Sequence, residues 1–289
     1  MITQIIYSQE VIFEKGMKTI KEKSKFKNLK ALKKMKTVVI TGSTSGIGLG
    51  IAKEFAKMGY AIAFNGLEAD GEIIANKIAE EFKVPTKFYD AHLQEAKQIE
   101  TMISAIEKDF GAIDVLINNA GIQYVSPIEN FPAEKWNAIM DINLNAVFHA
   151  SKAVWEGMKV RKFGRIINIA SAHGLVASEY KSAYVAAKHG VVGLTKVLSL
   201  EGAPFGITVN AICPGYVKTP LVEKQIVEQA RAHGISEQEV ISKIMLEKHA
   251  IKEFVSVEAL GALAVFLASN NANLITGIAL PVDGGWTAQ

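Results

Sequence analysis

Residues 37–48 read TVVITGSTSGIG, a short β-branched run that passes into three glycines and then into a stretch with helical spacing. A continuous apolar run such as Val38-Val39-Ile40 is typical of a strand buried on both faces of a parallel sheet. Glycines lack a Cβ and let backbone approach a ligand closely, and a helix N-terminus attracts phosphate. The stretch therefore predicts a strand–turn–helix unit whose turn can hold a phosphate group.

The rest of the chain repeats this alternation of short apolar runs and longer helical stretches. Strands are predicted at Thr37–Thr41, Ala61–Asn65, Asp114–Asn118, Arg165–Ala170 and Ile207–Ile212, and helices at Ile47–Met58, Gly71–Phe82 and Ala96–Phe110. Such alternation indicates a parallel sheet with helices on both faces. We expect an α/β fold, a single-domain Rossmann-type doubly wound sheet over residues 36–289, with lid helices around residues 220–252.

The charge of the chain is divided unevenly along its length. The whole sequence of 289 residues has a formal net charge of +3. Residues 1–36 contain ten Lys and three Glu, which gives about +7 and leaves about −4 for the remainder. A basic segment can bind nucleic acid or a membrane surface. Its sparse apolar residues fit a solvated extension better, so residues 1–35 are expected to be a flexible basic extension with neither partner.

Other broad classes of protein are disfavoured by simple counts. The apolar runs fall well short of the roughly 18 residues of a membrane helix. A single cysteine, Cys213, excludes a disulfide framework and a cysteine-based zinc site within one chain. The N-terminus has no apolar stretch followed by a small-residue cleavage site, so a cytoplasmic location is expected.

Two further motifs follow predicted strands and carry chemistry. Asn118-Asn119-Ala120-Gly121 closes the predicted strand Asp114–Asn118, and Tyr184-Val185-Ala186-Ala187-Lys188 begins 13 residues after Ser171, which ends another. Residues four apart share one helix face, and an ammonium there favours ionisation of a phenol whose usual pKa is about 10. A tyrosine tuned in this way can serve as a general base.

The T-G-x-x-x-G-x-G turn, the N-N-A-G motif and Y-x-x-x-K together resemble the short-chain dehydrogenase/reductase family over residues 36–289. The resemblance implies direct hydride transfer between an alcohol or carbonyl and a nicotinamide cofactor, with no metal. It also implies the catalytic set Asn143, Ser171, Tyr184 and Lys188. Tyr184 would be the general base and Ser171 would hydrogen-bond the substrate oxygen. Lys188 would lower the pKa of Tyr184 and hold the nicotinamide ribose, and Asn143 would support a water chain.

The residues expected to bind the cofactor lie in these motifs and beside the ends of the predicted strands. They are Gly42, Thr44, Ser45, Gly46, Ile47, Gly48, Asn65, Leu67, His92, Leu93, Asn119, Ala120, Gly121, Tyr184, Lys188, Pro214, Gly215, Val217 and Thr219. A 2′-phosphate needs Arg or Lys near the adenosine ribose. The turn Ser43–Ser45 and the end of the second strand have neither, which favours NAD over NADP, although the strand also lacks the acidic residue usual in NAD-preferring members. His92 stands in the family's usual Asp place, so either His92 or Asp90 would approach the adenine.

The substrate pocket is expected from residues between these motifs. Gln123, His173, Lys181, Tyr216, Gln225 and Trp286, with Ser171 and Tyr184, combine a cation, several hydrogen-bond donors and aromatic walls. That combination fits a small hydroxy or oxo carboxylate. Within the family this set and the C-terminal sequence resemble bacterial members that oxidise (R)-3-hydroxybutyrate to acetoacetate with NAD, as homotetramers.

Three alternative functions remain at this point. A 3-oxoacyl thioester reductase of the same family would prefer NADPH and need a basic surface for its carrier or coenzyme A. A regulator that only senses dinucleotide would tend to lose the Tyr or Lys of Y-x-x-x-K, whereas this chain retains both. A nucleic-acid binder would act through the basic N-terminal segment.

Overall fold

A single seven-stranded parallel sheet organises the chain in the computed structural model, which describes residues 35–288. The strands are β1 (Thr37–Ile40), β2 (Ala61–Gly66), β3 (Thr86–Asp90), β4 (Val115–Asn118), β5 (Gly164–Ile169), β6 (Ile207–Pro214) and β7 (Ala279–Val282). They lie in the order β3-β2-β1-β4-β5-β6-β7, and every neighbouring pair is parallel. The expected α/β, Rossmann-type doubly wound sheet is confirmed.

Helices connect the strands and cover both faces of the sheet. They are α1 (Gly46–Lys57), α2 (Gly71–Phe82), α3 (Ala96–Phe110), α4 (Ala133–Met140), α5 (Ala146–Arg161), α6 (Ser182–Gly202), α7 (Pro220–His233), α8 (Glu237–Val240) and α9 (Val257–Ala268). Two π-helical turns, Asp141–Asn145 and Ile241–Met245, follow α4 and α8. In the part of the chain that the structure describes, no helix is both long and apolar enough to span a membrane.

The first strand shows how the core divides into two layers. Val38 and Ile40 pack into one buried cluster with residues of α1 and α9, whereas Val39 packs into another with residues of α3 and α5. Successive side chains of a strand point to opposite faces, so this alternation places helices on both sides of β1. All three side chains are fully buried, as their continuous apolar run predicted.

The stretch expected to form lid helices folds around a small apolar cluster of its own. Thr219 caps α7 by accepting a hydrogen bond from the N–H of Val222, and Pro220 occupies the first turn. Ile226 of α7 packs with Val240 and Met245 from the segment that follows. The predicted extension, residues 1–35, lies outside the described residues except at Met35.

Strand order reverses between β1 and β4, which are neighbours in the sheet although two strands separate them in sequence. In open α/β sheets, the crevice beyond the carboxyl ends of strands at such a point is where ligands bind. The glycine turn follows β1 and the N-N-A-G motif closes β4. The two motifs found in the sequence therefore meet at this crevice.

Candidate active site

Hydrogen bonds join the glycine turn to the N-N-A-G motif. The Asn119 amide donates to the carbonyl oxygens of Thr41 and Gly42 at 2.9 and 2.8 Å. The Thr41 hydroxyl in turn accepts from the backbone N–H groups of Asn119 and Ala120. Gly48 lies against this junction, because a Cβ there would sit 2.2 Å from the Gly42 oxygen. The two motifs thus form one rigid unit at the start of α1.

A cavity of about 470 Å³ opens beside this unit. Of the residues expected to bind cofactor, it is lined by Gly42, Ser45, Gly46, Ile47, Asn65, Leu67, His92, Leu93, Asn119, Ala120, Gly121 and Thr219. Gly66, Glu68, Ala91, Gln94, Ile122, Ile142 and Pro220 line it as well. The lining does not include Thr44, Gly48, Pro214, Gly215, Val217, Tyr184 or Lys188.

An acidic side chain that no sequence motif indicated lines this cavity. Glu68 stands two residues beyond β2, and its Oε2 accepts hydrogen bonds from the Thr44 hydroxyl at 2.6 Å and the Leu67 N–H at 3.0 Å. Gly66 makes room for the carboxylate, because a Cβ there would lie 2.4 Å from Oε2. Although partial burial opposes it, the bonds from Thr44 and the backbone lower the pKa of Glu68, so the group is ionised at neutral pH.

Asn143 is placed by the π-helical turn between α4 and α5. Its side-chain oxygen accepts from the Ile122 N–H at 2.8 Å, and its amide donates to the Ile122 oxygen at 2.9 Å. A π turn inserts one extra residue into a helix, and such turns are frequent at functional sites. Asn143 thereby fixes the segment that follows N-N-A-G.

Lys188 reaches from α6 toward the same point. Its Nζ donates to the Ile169 carbonyl at the end of β5, at 2.8 Å, and a Cβ on Gly121 would lie 3.7 Å from Nζ. Burial lowers the pKa of Lys188 to about 8. Neighbouring Cys213 is also buried, and burial raises the pKa of its thiol to about 11, so it packs as a small core residue.

Tyr184 lies one helical turn before Lys188, whose Nζ is 5.6 Å from the tyrosine ring centroid. Burial raises the pKa of Tyr184, and interaction with the Ser171 hydroxyl opposes this in part. The four-residue spacing from Lys188 predicts a lowered pKa for Tyr184. In the chain alone, the cost of burying a phenolate dominates and raises this pKa instead. That Lys188 lowers this pKa in the working enzyme stays a prediction.

Most of the residues expected around the substrate are brought together as a cluster of rings. The His173 ring lies 5.0 Å from Trp286 and 6.0 Å from Tyr184, and Tyr216 stacks on Trp286 at 6.1 Å with an interplanar angle of 4°. Lys181 completes the cluster, with its Nζ 5.8 Å from the Tyr216 ring centroid.

The two glutamines expected in the same pocket are not joined to this cluster. Gln123 is exposed and Gln225 is half-buried on α7. Among residues 35–288, no hydrogen bond or ring contact links either amide to the rings or to Lys181. Their contribution to substrate binding stays a prediction.

Positively charged side chains lie in and beside this cluster and act on one another. Burial lowers the pKa of Lys181, and the nearby charge of Lys248 lowers it further. Burial, Lys181 and Lys248 together lower the pKa of His173 to about 3, so this imidazole is neutral at any working pH. A bound anion would relieve the repulsion between the two lysines.

His249 is a further member of the cluster that no sequence motif indicated. Its buried ring lies 6.1 Å from that of Tyr216 and 5.8 Å from that of Trp286. Gly215 and Gly284 make the slot for it, since a Cβ on either would lie about 3 Å from the ring. His249 follows the lid helices, and its side chain reaches the C-terminal turn, which connects two segments far apart in sequence.

Comparison with known proteins identifies this arrangement. The family model for short chain dehydrogenases matches residues 36–230. The chain belongs to the short-chain dehydrogenase/reductase family. The matched range includes the glycine turn, N-N-A-G, Asn143, Ser171 and Y-x-x-x-K, so the motifs and the family assignment rest on the same residues.

Individual members of the short-chain dehydrogenase/reductase family are similar over most of the chain. D-beta-hydroxybutyrate dehydrogenase of Rhizobium meliloti (strain 1021) is 51% identical over 256 residues, covering 88% of this chain and 99% of the relative. The enzyme of the same name from Cupriavidus necator is 50% identical, covering 88% and 98%. Acetoacetyl-CoA reductase of Paracoccus denitrificans is more distant, at 34% identity covering 84% and 94%.

A nicotinamide cofactor, which the family implies, fits the cavity between the glycine turn and β2. Gly42 and Gly46 adopt positive φ angles of 59° and 51°, which open the backbone beside the N-terminus of α1 for a phosphate. His92 lines the other end, and its buried Nδ1 has no hydrogen-bond partner among the described residues. Such an atom is satisfied by a polar ligand group.

Proposed function

We propose that this chain catalyses the reversible oxidation of (R)-3-hydroxybutyrate to acetoacetate with NAD. The observation that carries the proposal is the pocket in which Lys181, Tyr216, His173 and Trp286 meet beside Tyr184. It offers a small anion a half-buried ammonium and aromatic walls next to a candidate general base. The names of the relatives from Rhizobium meliloti and Cupriavidus necator support the same substrate.

The charges of Lys181 and Lys248 support a carboxylate substrate in particular. Burial disfavours the charged form of Lys181 and lowers its pKa, and repulsion from Lys248 lowers that pKa further. A carboxylate placed against Lys181 reverses both effects, because it supplies the opposite charge and hydrogen-bond acceptors. A neutral ketone or alcohol would leave the half-buried ammonium of Lys181 without such a partner.

The proposed reaction assigns a role to each residue of the catalytic set. Tyr184 takes the hydroxyl proton of the substrate, and Ser171 holds the substrate oxygen beside it. Lys188 presents a positive charge one turn away, held by the Ile169 carbonyl, and Asn143 holds the Ile122 segment in place. The cofactor supplies the acceptor for the hydride.

Glu68 supports NAD rather than NADP as that cofactor. In this type of fold the adenosine ribose lies near the end of the second strand. The carboxylate of Glu68 lies at that point, and no Lys or Arg is among the described residues that line the cavity. A 2′-phosphate would therefore meet a like charge without a compensating cation, whereas a 2′-hydroxyl can donate to the carboxylate.

Replacing Glu68 by Gln is expected to raise affinity for NADPH about tenfold, or about 1.4 kcal/mol, and to change affinity for NADH much less. The substitution removes the like charge but keeps the size of the side chain. Fluorescence titration of each reduced cofactor gives the two dissociation constants without turnover. Glu72→Gln is the matched control, because Glu72 is exposed on the first turn of α2 and does not line the cavity. Equal effects of the two substitutions would contradict a role for Glu68.

A substrate panel tests the proposed reaction directly. Both enantiomers of 3-hydroxybutyrate are offered with NAD and NADP, and acetoacetate and acetoacetyl-CoA with NADH and NADPH. We expect the highest kcat/KM for the (R) acid with NAD, and for acetoacetate with NADH in reverse. Preference for acetoacetyl-CoA with NADPH would instead establish a thioester reductase, and no turnover of any pair would indicate a binding protein.

The assembly and location of the protein are proposals of the same kind. We propose a cytoplasmic homotetramer in which residues 36–289 form a single catalytic domain and the C-terminal segment lies near an interface. Large apolar side chains support this, since Leu274 is 91% exposed and Phe266 43% exposed near that segment. Light scattering of the purified chain gives the mass that tests the tetramer.

A further inference from the structure

A row of three side chains leads from the candidate catalytic serine into the loop behind it. The Ser171 Oγ lies 3.5 Å from Nδ1 of His173, and Nε2 of His173 lies 2.9 Å from the Ser178 Oγ. The backbone N–H of His173 also donates to the Ser171 Oγ, at 3.1 Å. Both ring nitrogens of His173 therefore face serine hydroxyls of this chain.

The neutral state of His173 makes this row directional. Burial, with the charges of Lys181 and Lys248, holds the pKa of His173 near 3. A neutral imidazole has one N–H donor and one bare acceptor nitrogen. The hydrogen bond made by Nε2 therefore fixes the role of Nδ1. If Nε2 accepts, Nδ1 carries the ring proton and donates it to the Ser171 oxygen. If Nε2 donates, Nδ1 is an acceptor for the Ser171 proton.

Ser178 is the group that faces Nε2. Among the described residues, His173 is the one hydrogen-bond partner of the Ser178 hydroxyl. If that hydroxyl donates, Nε2 is the acceptor and the ring proton sits on Nδ1, directed at Ser171. The Ser171 oxygen then accepts from both the backbone and the ring of His173, which occupies its two lone pairs. Its own proton stays available for another acceptor.

We propose that Ser178 is a positioning residue for the reaction, whose hydroxyl donates to Nε2 of His173 and so leaves the Ser171 proton to hydrogen-bond the substrate oxygen. This inference rests on the proposed function for the substrate that Ser171 meets. It gives His173 a different role from the one expected from the sequence. His173 acts on the reacting end of the substrate through Ser171, and Lys181 holds the carboxylate.

Ser178→Ala tests the proposal. We expect kcat to fall roughly tenfold, the scale of one hydrogen bond, while KM for 3-hydroxybutyrate changes less than about twofold. Ser178→Thr keeps a hydroxyl and should restore most of kcat. Nitrogen-15 NMR of His173, assigned by comparison with His173→Gln, should show the proton on Nδ1 in the unsubstituted protein and a mixture of tautomers in Ser178→Ala.

Ser182→Ala is the matched control. Ser182 lies four residues further along, and its buried hydroxyl has no hydrogen-bond partner among the described residues, so its loss should leave kcat unchanged. A rise in KM at constant kcat in Ser178→Ala would overturn the proposal and return His173 to the carboxylate. A proton on Nε2 in the unsubstituted protein, or unchanged kcat in Ser178→Ala, would overturn it too. The NMR measurement needs no substrate, so it tests Ser178 even if the protein proves not to oxidise 3-hydroxybutyrate.

Discussion

Tyr184→Phe is expected to lower kcat for 3-hydroxybutyrate oxidation by roughly 10²–10⁴-fold, the usual contribution of a positioned general base. The substitution removes the oxygen that accepts the substrate proton and leaves the ring in place beside His173. Since Tyr184 does not line the cavity beside the glycine turn, NADH binding should survive. Stopped-flow or steady-state assays give kcat, and NADH fluorescence gives Kd.

Tyr180→Phe is a control for this experiment within the same loop region. Its ring is 54% exposed and belongs to none of the ring contacts of the pocket. Loss of its hydroxyl should leave kcat near that of the unsubstituted protein. If Tyr184→Phe retained full activity, the base would have to be another group and the assigned mechanism would be wrong.

Gly48→Ala is expected to destabilise the protein by about 1–3 kcal/mol and to weaken NADH binding by at least about tenfold. The added Cβ would lie 2.2 Å from the Gly42 oxygen and 2.6 Å from the Asn119 amide nitrogen, two atoms that are hydrogen-bonded to each other. The start of α1 must then move away from the glycine turn, which separates the two motifs that form the cavity. Thermal unfolding and NADH fluorescence titration measure the two effects.

Gly193→Ala makes the same substitution where it should have the opposite effect. Nothing lies within 4 Å of a Cβ at Gly193, in the middle of α6. Removing a glycine from a helix interior is expected to stabilise the protein by about 0.5–1 kcal/mol. Similar destabilisation by the two substitutions would show that the packing at Gly48 is not the cause.

Features that depend on local spacing could be predicted from the sequence. Strand β1, the glycine turn and the start of α1 follow one another within residues 37–48, where apolar pattern and glycine content act directly on local conformation. The pairing of Tyr184 with Lys188 follows as well, because residues four apart share one helix face, and Ser171 lies at the carboxyl end of a strand, where ligands of such sheets bind.

Features that depend on contacts between distant segments could not be predicted in the same way. Glu68 is an acidic residue in an exposed turn, and only its contact with Thr44, 24 residues away, makes it a wall of the cavity. His249 lies in a charged stretch with no motif, and two glycines from other segments create its slot. The rise in the pKa of Tyr184 comes from burial by the whole fold, which the four-residue spacing from Lys188 does not describe.

The π turn at Asp141–Asn145 constrains the length of the chain as well as its composition. It joins α4 to α5 without interruption, and one residue more or less rotates everything beyond it by about 100° about the helix axis. Deleting one residue there could keep Asn143 beside Ile122, or keep Ala150 and Val154 of α5 against the sheet, but not both. Variants that remain functional can therefore differ in many side chains along the continuous segment of α4, the π turn and α5, but they cannot tolerate a single-residue insertion or deletion within the turn.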